Sequence, residues 1–173
     1  GEGRRMTDLR PPVWFEDLTP GTVIRTAGAT LTEAQIIEFA MRWDPQPFHI
    51  DVEAAKESMF GGLAASGFHT MLTAFRLLHA TNFMYPAGQG SGGMESLRWL
   101  IPVRPGDTIR MECEVTDARV LKSKPHMGVC SFHYHVFNQR DERVMDWKAS
   151  AFYLRRPENR PESQVESQVE DRA

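Results

Sequence analysis

The chain has 173 residues, 41% of them hydrophobic, enough for one domain that buries about 70% of its unfolded surface. A net charge of -3 and a pI near 6.1 give no electrostatic ground for binding nucleic acid or an anionic membrane. No apolar stretch reaches the ~20 residues needed to span a bilayer, and no charged-then-apolar leader opens the sequence, so the expected location is the cytoplasm.

Residues 1–5 precede a methionine and read as a cleavage scar with a linker. Met6 is then the natural start, and residues 1–14 are an extension to the domain. Phe15-Glu16-Asp17-Leu18 with Pro20-Gly21 reads as a turn into a β-branched strand over 22–30. Thr32-Glu33-Ala34-Gln35 is a capping box, and Ile36, Phe39, Ala40 and Trp43 recur at helical spacing, so a helix delivers the chain to Asp44.

Asp44 and His49 flank Pro45-Gln46-Pro47-Phe48. Each proline fixes its own φ and biases the residue before it toward extended backbone, giving a stiff turn able to aim an acid and a base at one point. General acid–base catalysis needs that convergence. Asp51 caps a short helix that ends at Gly61-Gly62. Ser66-Gly67 then opens a long apolar helix over 68–83, with Ser66 as its cap and Gly67 allowing close backbone approach. The free N–H groups at such a helix start, together with its dipole, favour a developing oxyanion near Gly67. The breadth of apolar positions in this helix predicts that it lies against a sheet with little face left for solvent.

These residues resemble the MaoC-like dehydratases, which include the (R)-specific enoyl-CoA hydratases. The family pattern is a glycine, Asp-x-Asn-Pro-Ile-His, a Phe-Gly, and a His-Gly or Ser-Gly helix start. Here it reads Trp43, Asp44, Pro45, Gln46, Pro47, Phe48, His49, then Phe60-Gly61 and Ser66-Gly67. The resemblance covers roughly residues 15–156 and implies Asp44 and His49 as the catalytic pair and the Gly67 N–H as the thioester oxyanion donor. Trp43, Gln46, Phe48, Ser66 and Phe68 would meet the substrate. Two positions depart from the pattern: Trp43 stands where the family has glycine and Gln46 where it has asparagine, changes that bear on the support of the pair and on the acyl group accepted.

A proline-started turn and a glycine-rich loop, 88–93, read as a mobile segment near a mouth, follow the long helix. Strands are predicted over 94–100, 108–121, 128–139 and 144–154, with turns at Pro105-Gly106-Asp107 and Arg140-Asp141-Glu142. An antiparallel sheet around one long helix is an α+β assembly. The resemblance implies the hotdog fold, in which the sheet wraps the central helix. Residues 157–173 are polar, repeat Glu-Ser-Gln-Val, lack an apolar face and predict disorder.

Several other residues carry simpler readings. Cys113 and Cys130 lie seventeen apart on two predicted strands, neither a disulfide framework nor a zinc spacing, and read as reduced thiols. His69 reads as a neutral histidine bonded near the helix start. His133 and His135 share a strand face, but no third ligand at a recognisable spacing accompanies them, so no metal is expected. Arg98, Arg104 and Lys122 are available to coenzyme A phosphates, although charges at strand ends are usually just solvated. The reaction that the resemblance implies is reversible hydration of a 2-enoyl-CoA to the (R)-3-hydroxyacyl-CoA, without metal or redox cofactor, in a homodimer or larger even assembly. Two alternatives stay open on the same fold: an acyl-CoA thioesterase, and an acyl-thioester-binding module without turnover.

Overall fold

The computed structural model describes residues 5–6 and 13–162. In chain order these form β1 (Arg5–Met6), a 3-10 turn (Phe15–Asp17), β2 (Val23–Arg25), β3 (Ala29–Thr30), α1 (Glu33–Trp43), α2 (Pro47–Ile50), α3 (Val52–Lys56), α4 (Gly67–His79), β4 (Gly88–Trp99), β5 (Thr108–Val120), β6 (Met127–Phe137), β7 (Arg143–Leu154) and a second 3-10 turn (Pro157–Asn159). The sheet order is β1-β2-β5-β6-β7-β4, with β3 also paired to β5. All pairings are antiparallel except the parallel β1–β2 pair. This is the α+β hotdog arrangement, with the sheet curved around α4.

Local chemistry explains the element boundaries. Thr32 Oγ1 accepts from the Gln35 N–H at 3.2 Å while Gln35 Oε1 accepts from the Thr32 N–H at 3.0 Å, the predicted capping box that starts α1. Asp51 Oδ1 accepts from Glu53 and Ala54 N–H groups and starts α3. The predicted strand over 22–30 is two short strands, because residues 26–28 leave the ladder between them.

On β6 the alternation is strict: Cys130, Phe132, Tyr134 and Val136 face the helix, and His133 and His135 face out. Phe83, Phe132 and Tyr153 meet edge-on or tilted, and Tyr134 stacks on Trp147 with centroids 4.7 Å apart, filling the space between sheet and α4. Cys113 and Cys130 are free thiols inside this core, and burial pushes both pKa values up, Cys130 to about 12.

Two expectations are corrected. The glycine-rich 88–93 segment is no loop: it is the first half of β4, paired to β7 through several register shifts, and Ser91 Oγ donates to the Ser150 carbonyl at 2.5 Å. The positive φ of Gly90 and Gly93 accommodates those irregularities, which is why glycines occupy a bulged edge strand. Second, α4 buries only Thr70, Ala74 and Leu78, a narrow i, i+4, i+8 stripe, and leaves Phe68 and Leu72 more than half exposed. Its breadth of apolar residues exceeds what one sheet covers.

The ends of the chain are read only in part. Pro157–Asn159 is a turn held to the N-terminal segment, where Glu16 accepts from Arg155, the Arg156 N–H and Asn159. Residues 1–4, 7–12 and 163–173 lie outside the described residues, and with them most of the N-terminal extension and the greater part of the polar tail. No helix among the described residues is long and apolar enough to cross a membrane.

Candidate active site

α1 stops at Asp44, whose N–H still bonds the Ala40 carbonyl at 2.9 Å while its backbone turns to φ -153°. Pro45 cannot continue the ladder. Pro47 occupies the first turn of α2, where its missing N–H has no partner to lose, and the single turn that follows carries His49 inward to 6% exposure.

The Asp44 carboxylate is bonded on both oxygens. Ser66 Oγ donates to Oδ2 at 2.7 Å, Gln46 Nε2 donates to Oδ1 at 2.7 Å, and His49 Nε2 lies 3.4 Å from Oδ2. Burial pushes the Asp44 carboxyl up, but the Ser66 and Gln46 hydrogen bonds and the nearby His49 together outweigh it and hold the group below its ordinary value. Asp44 is therefore ionised at neutral pH. Gln46 thus supplies an amide donor from its own turn.

His49 is fixed from its other side. Nδ1 lies 2.6 Å from the Ala64 carbonyl, and because a carbonyl only accepts, Nδ1 carries a hydrogen. In the neutral ring, Nε2 then points a lone pair toward Asp44 Oδ2. Two acceptors 3.4 Å apart are jointly satisfied by one donor, such as a water that gives a hydrogen to each.

The segment behind His49 is tied on three sides. Ala64 N–H donates to the Phe48 carbonyl at 3.1 Å, and Ala65 N–H to the Val103 carbonyl at 2.8 Å. Arg104 donates to the Gly62 carbonyl at 2.8 Å, to Leu63 at 3.3 Å and to Phe60. Arg104 is thus committed to this loop and not free for phosphates. Arg98 lies on the outer face of the sheet, 3.7 Å from Asp146.

Asp44, Gln46, Phe48, His49, Gly67 and Phe68 line one cavity of about 540 Å³. Apart from Thr70 its remaining wall is mostly apolar, from Phe60, Ile101, Val103 and Val144 among others, and among the described residues Asp44 and His49 are its only titratable lining groups. The Gly67 N–H, at the first position of α4, has no intrahelical acceptor.

Two residues expected to meet substrate do not line the cavity. Ser66 is fully buried, and its hydroxyl is taken by Asp44 instead of capping α4 or facing the cavity. Trp43, the last residue of α1, is 65% exposed, with the Arg42 guanidinium over its ring. His69 is stacked on Phe39, with centroids 4.5 Å apart; burial lowers its pKa, as a neutral ring requires, but its Nδ1 has no bond among the described residues.

Sequence reasoning missed Trp99. Its indole packs against Gly67: a Cβ built there would come 2.2 Å from Trp99 Nε1, so only glycine fits beside it. Phe68 meets the same indole edge-on at 5.6 Å, and both rings line the cavity. The signal available was the glycine itself, which announces a close approach without naming what approaches.

Comparisons with known proteins identify the family of the fold. The family model described as the MaoC like domain matches residues 16–131. A solved MaoC-like dehydratase from Rhodospirillum rubrum is 40% identical, with a TM-score of 0.78 over 84% of this chain and 99% of that one. Protein MaoC of Klebsiella aerogenes is 38% identical over 58% of this chain, which spans only 30% of that protein. The R-hydratase PhaJ1 of Pseudomonas aeruginosa, 23% identical, superposes with a TM-score of 0.63 over 83% of this chain and 86% of that one, a likeness of fold. The Asp44–His49 turn and the Gly67 helix start lie within the matched span, and the chain belongs to the MaoC-like domain family.

Proposed function

We infer that this protein is a hydro-lyase that adds water to a 2-enoyl thioester, most simply of coenzyme A, to give the (R)-3-hydroxyacyl thioester, and that it catalyses the reverse elimination. The observation that carries this reading is the approach of the Asp44 carboxylate and His49 Nε2 to 3.4 Å at a largely apolar cavity. That arrangement suits one water and one developing negative charge.

In the hydration direction the water donates to Asp44 Oδ2 and His49 Nε2. Its oxygen attacks the β-carbon, and the proton it loses passes to the pair. The electron pair of the double bond moves toward the thioester carbonyl, whose oxygen becomes enolate-like and is met by the Gly67 N–H. A proton from the pair then reaches the α-carbon, so the pair ends as it began. Acid–base groups of this kind contribute about 10² to 10⁴ in rate, and one oxyanion donor roughly 3–4 kcal/mol. Phe48, Phe60 and Trp99 narrow the cavity, which favours short acyl groups.

A second copy of this chain fits the same reading. β4 is the last strand of the sheet, and Phe68, Leu72, Met94, Trp99 and Leu100 are exposed apolar residues on it, on the facing helix and beside the cavity. An edge-to-edge pairing through β4 would cover them, and light scattering is expected to give twice the chain mass.

The test follows the enoyl absorbance of crotonyl-CoA and a panel of longer enoyl-CoAs, wild type beside Asp44→Asn, with chiral analysis of the product. Loss of absorbance yielding the (R)-3-hydroxy product, absent in the variant, supports the reading. Release of free thiol instead would make the protein a thioesterase. Saturable binding without turnover across the whole panel would make it a binding module.

A further inference from the structure

The outer face of the sheet, opposite the cavity, carries a cluster of a different kind. The alternation that sends Phe132 and Tyr134 inward sends His133 and His135 outward, and their rings lie with centroids 3.9 Å apart. The register sets Glu114 of β5 opposite His133 and brings its Oε2 to 3.7 Å from His135 Nε2. One ligand atom from each of Glu114, His133 and His135 lies within 4.8 Å of the other two. Small side-chain rotations bring such atoms to the ~2.0–2.2 Å at which nitrogen and carboxylate oxygen bind Zn²⁺.

A further observation points to a ligand. His133 Nε2 is a buried atom with no hydrogen-bond partner among the described residues. Glu114 meets no lysine or arginine among the described residues, whereas nearby Asp146, 3.8 Å from His133 Nε2, is claimed by Arg98 and Arg143. The third ligand escaped the sequence because it comes from the neighbouring strand, nineteen positions before His133.

We propose that Glu114, His133 and His135 form a binding site for a divalent first-row transition-metal cation, with Zn²⁺ as the reference ion and water completing the coordination. Two imidazoles and one carboxylate are ligands of that class, and a site with three protein ligands keeps an open position. The cation ties β5 to β6 on the face away from Asp44, so its role is a brace between strands and not a participant at the cavity. Lys148, which pairs with His133 from β7, puts a positive charge beside the site that opposes cation binding.

The experiment uses the untagged full chain, stripped with chelator, in calorimetric titration with Zn²⁺ and in visible spectroscopy with Co²⁺. A single saturable equivalent is expected, weakened at least about tenfold in His135→Asn and in Glu114→Gln. The unfolding midpoint should rise with Zn²⁺ in wild type and not in His135→Asn, a readout independent of turnover. Absence of saturable Zn²⁺ binding by wild type would overturn the proposal. So would binding that persists unchanged in a His133→Asn/His135→Asn double variant, or that disappears in His49→Asn, which would place the ion at the cavity.

Discussion

Asp44 and His49 face one another across 3.4 Å, but they are supported in opposite ways. The carboxylate is held by side chains, Ser66 from the start of α4 and Gln46 from its own turn. The imidazole is held by a backbone carbonyl, Ala64, on a loop that Arg104 clamps through three further carbonyls. A side-chain support can be removed by one substitution and tunes the charge it touches. A backbone support cannot be deleted directly, and fixes position through the fold.

Ser66→Ala tests the first kind and carries the largest effect. A buried hydroxyl bond to a charged group contributes about 1.5–3 kcal/mol, so kcat/KM for enoyl hydration should fall roughly tenfold or more. The Asp44 pKa should rise, moving the acid limb of the pH–rate profile upward. The stability effect has a definite sign. Because the folded Asp44 pKa lies below its unfolded value, the ionised group stabilises the fold above that unfolded value and loses this contribution as pH falls through the folded pKa. Denaturant titrations should therefore show the Ser66→Ala deficit in full above about pH 4, narrowing in stronger acid.

Arg104→Lys tests the second kind. A lysine keeps the charge but cannot span three carbonyls with one planar fork. Unfolding free energy should drop by about 1–2 kcal/mol, with kcat reduced and the pH–rate limbs unmoved, since Arg104 positions His49 through the Ala64 loop. A shifted acid limb in this variant would erase the distinction between the two supports. The smallest effect is expected from Gln46→Ala, whose bond to Asp44 is exposed: less than about 1 kcal/mol, with Gln46→Asn recovering part of it if the family amide reaches the same oxygen.

What could be read from the sequence divides along the same line. Contacts that close within a few residues were visible: the Thr32–Gln35 box, the Asp51 cap, the proline turn that sets Asp44 beside His49, and the alternation that marks β5 and β6. Contacts that close across the fold were not. Ser66 before a helix looks the same whether it caps that helix or reaches an aspartate twenty-two residues away. The glycines of residues 88–93 look like a loop until β7 supplies the pairing partner. The apolar breadth of α4 was read as burial against the sheet, whereas Phe68 and Leu72 remain uncovered. The exposure of Trp43 is equally non-local, since helical spacing with Ile36 and Ala40 does not say whether the fold covers that end of α1.

The indole packed against Gly67 has an optical consequence. Of the four tryptophans, Trp147 is sealed in the core, Trp43 is out in solvent, Trp14 sits beside Arg160, and Trp99 alone lines the cavity. On the proposed function, an acyl chain entering beside Gly67 would replace the water around that one ring, so intrinsic emission would report occupancy without a label. Trp99→Phe removes the signal while leaving the other three emitters in place, and the molecule thereby carries its own gauge of ligand affinity.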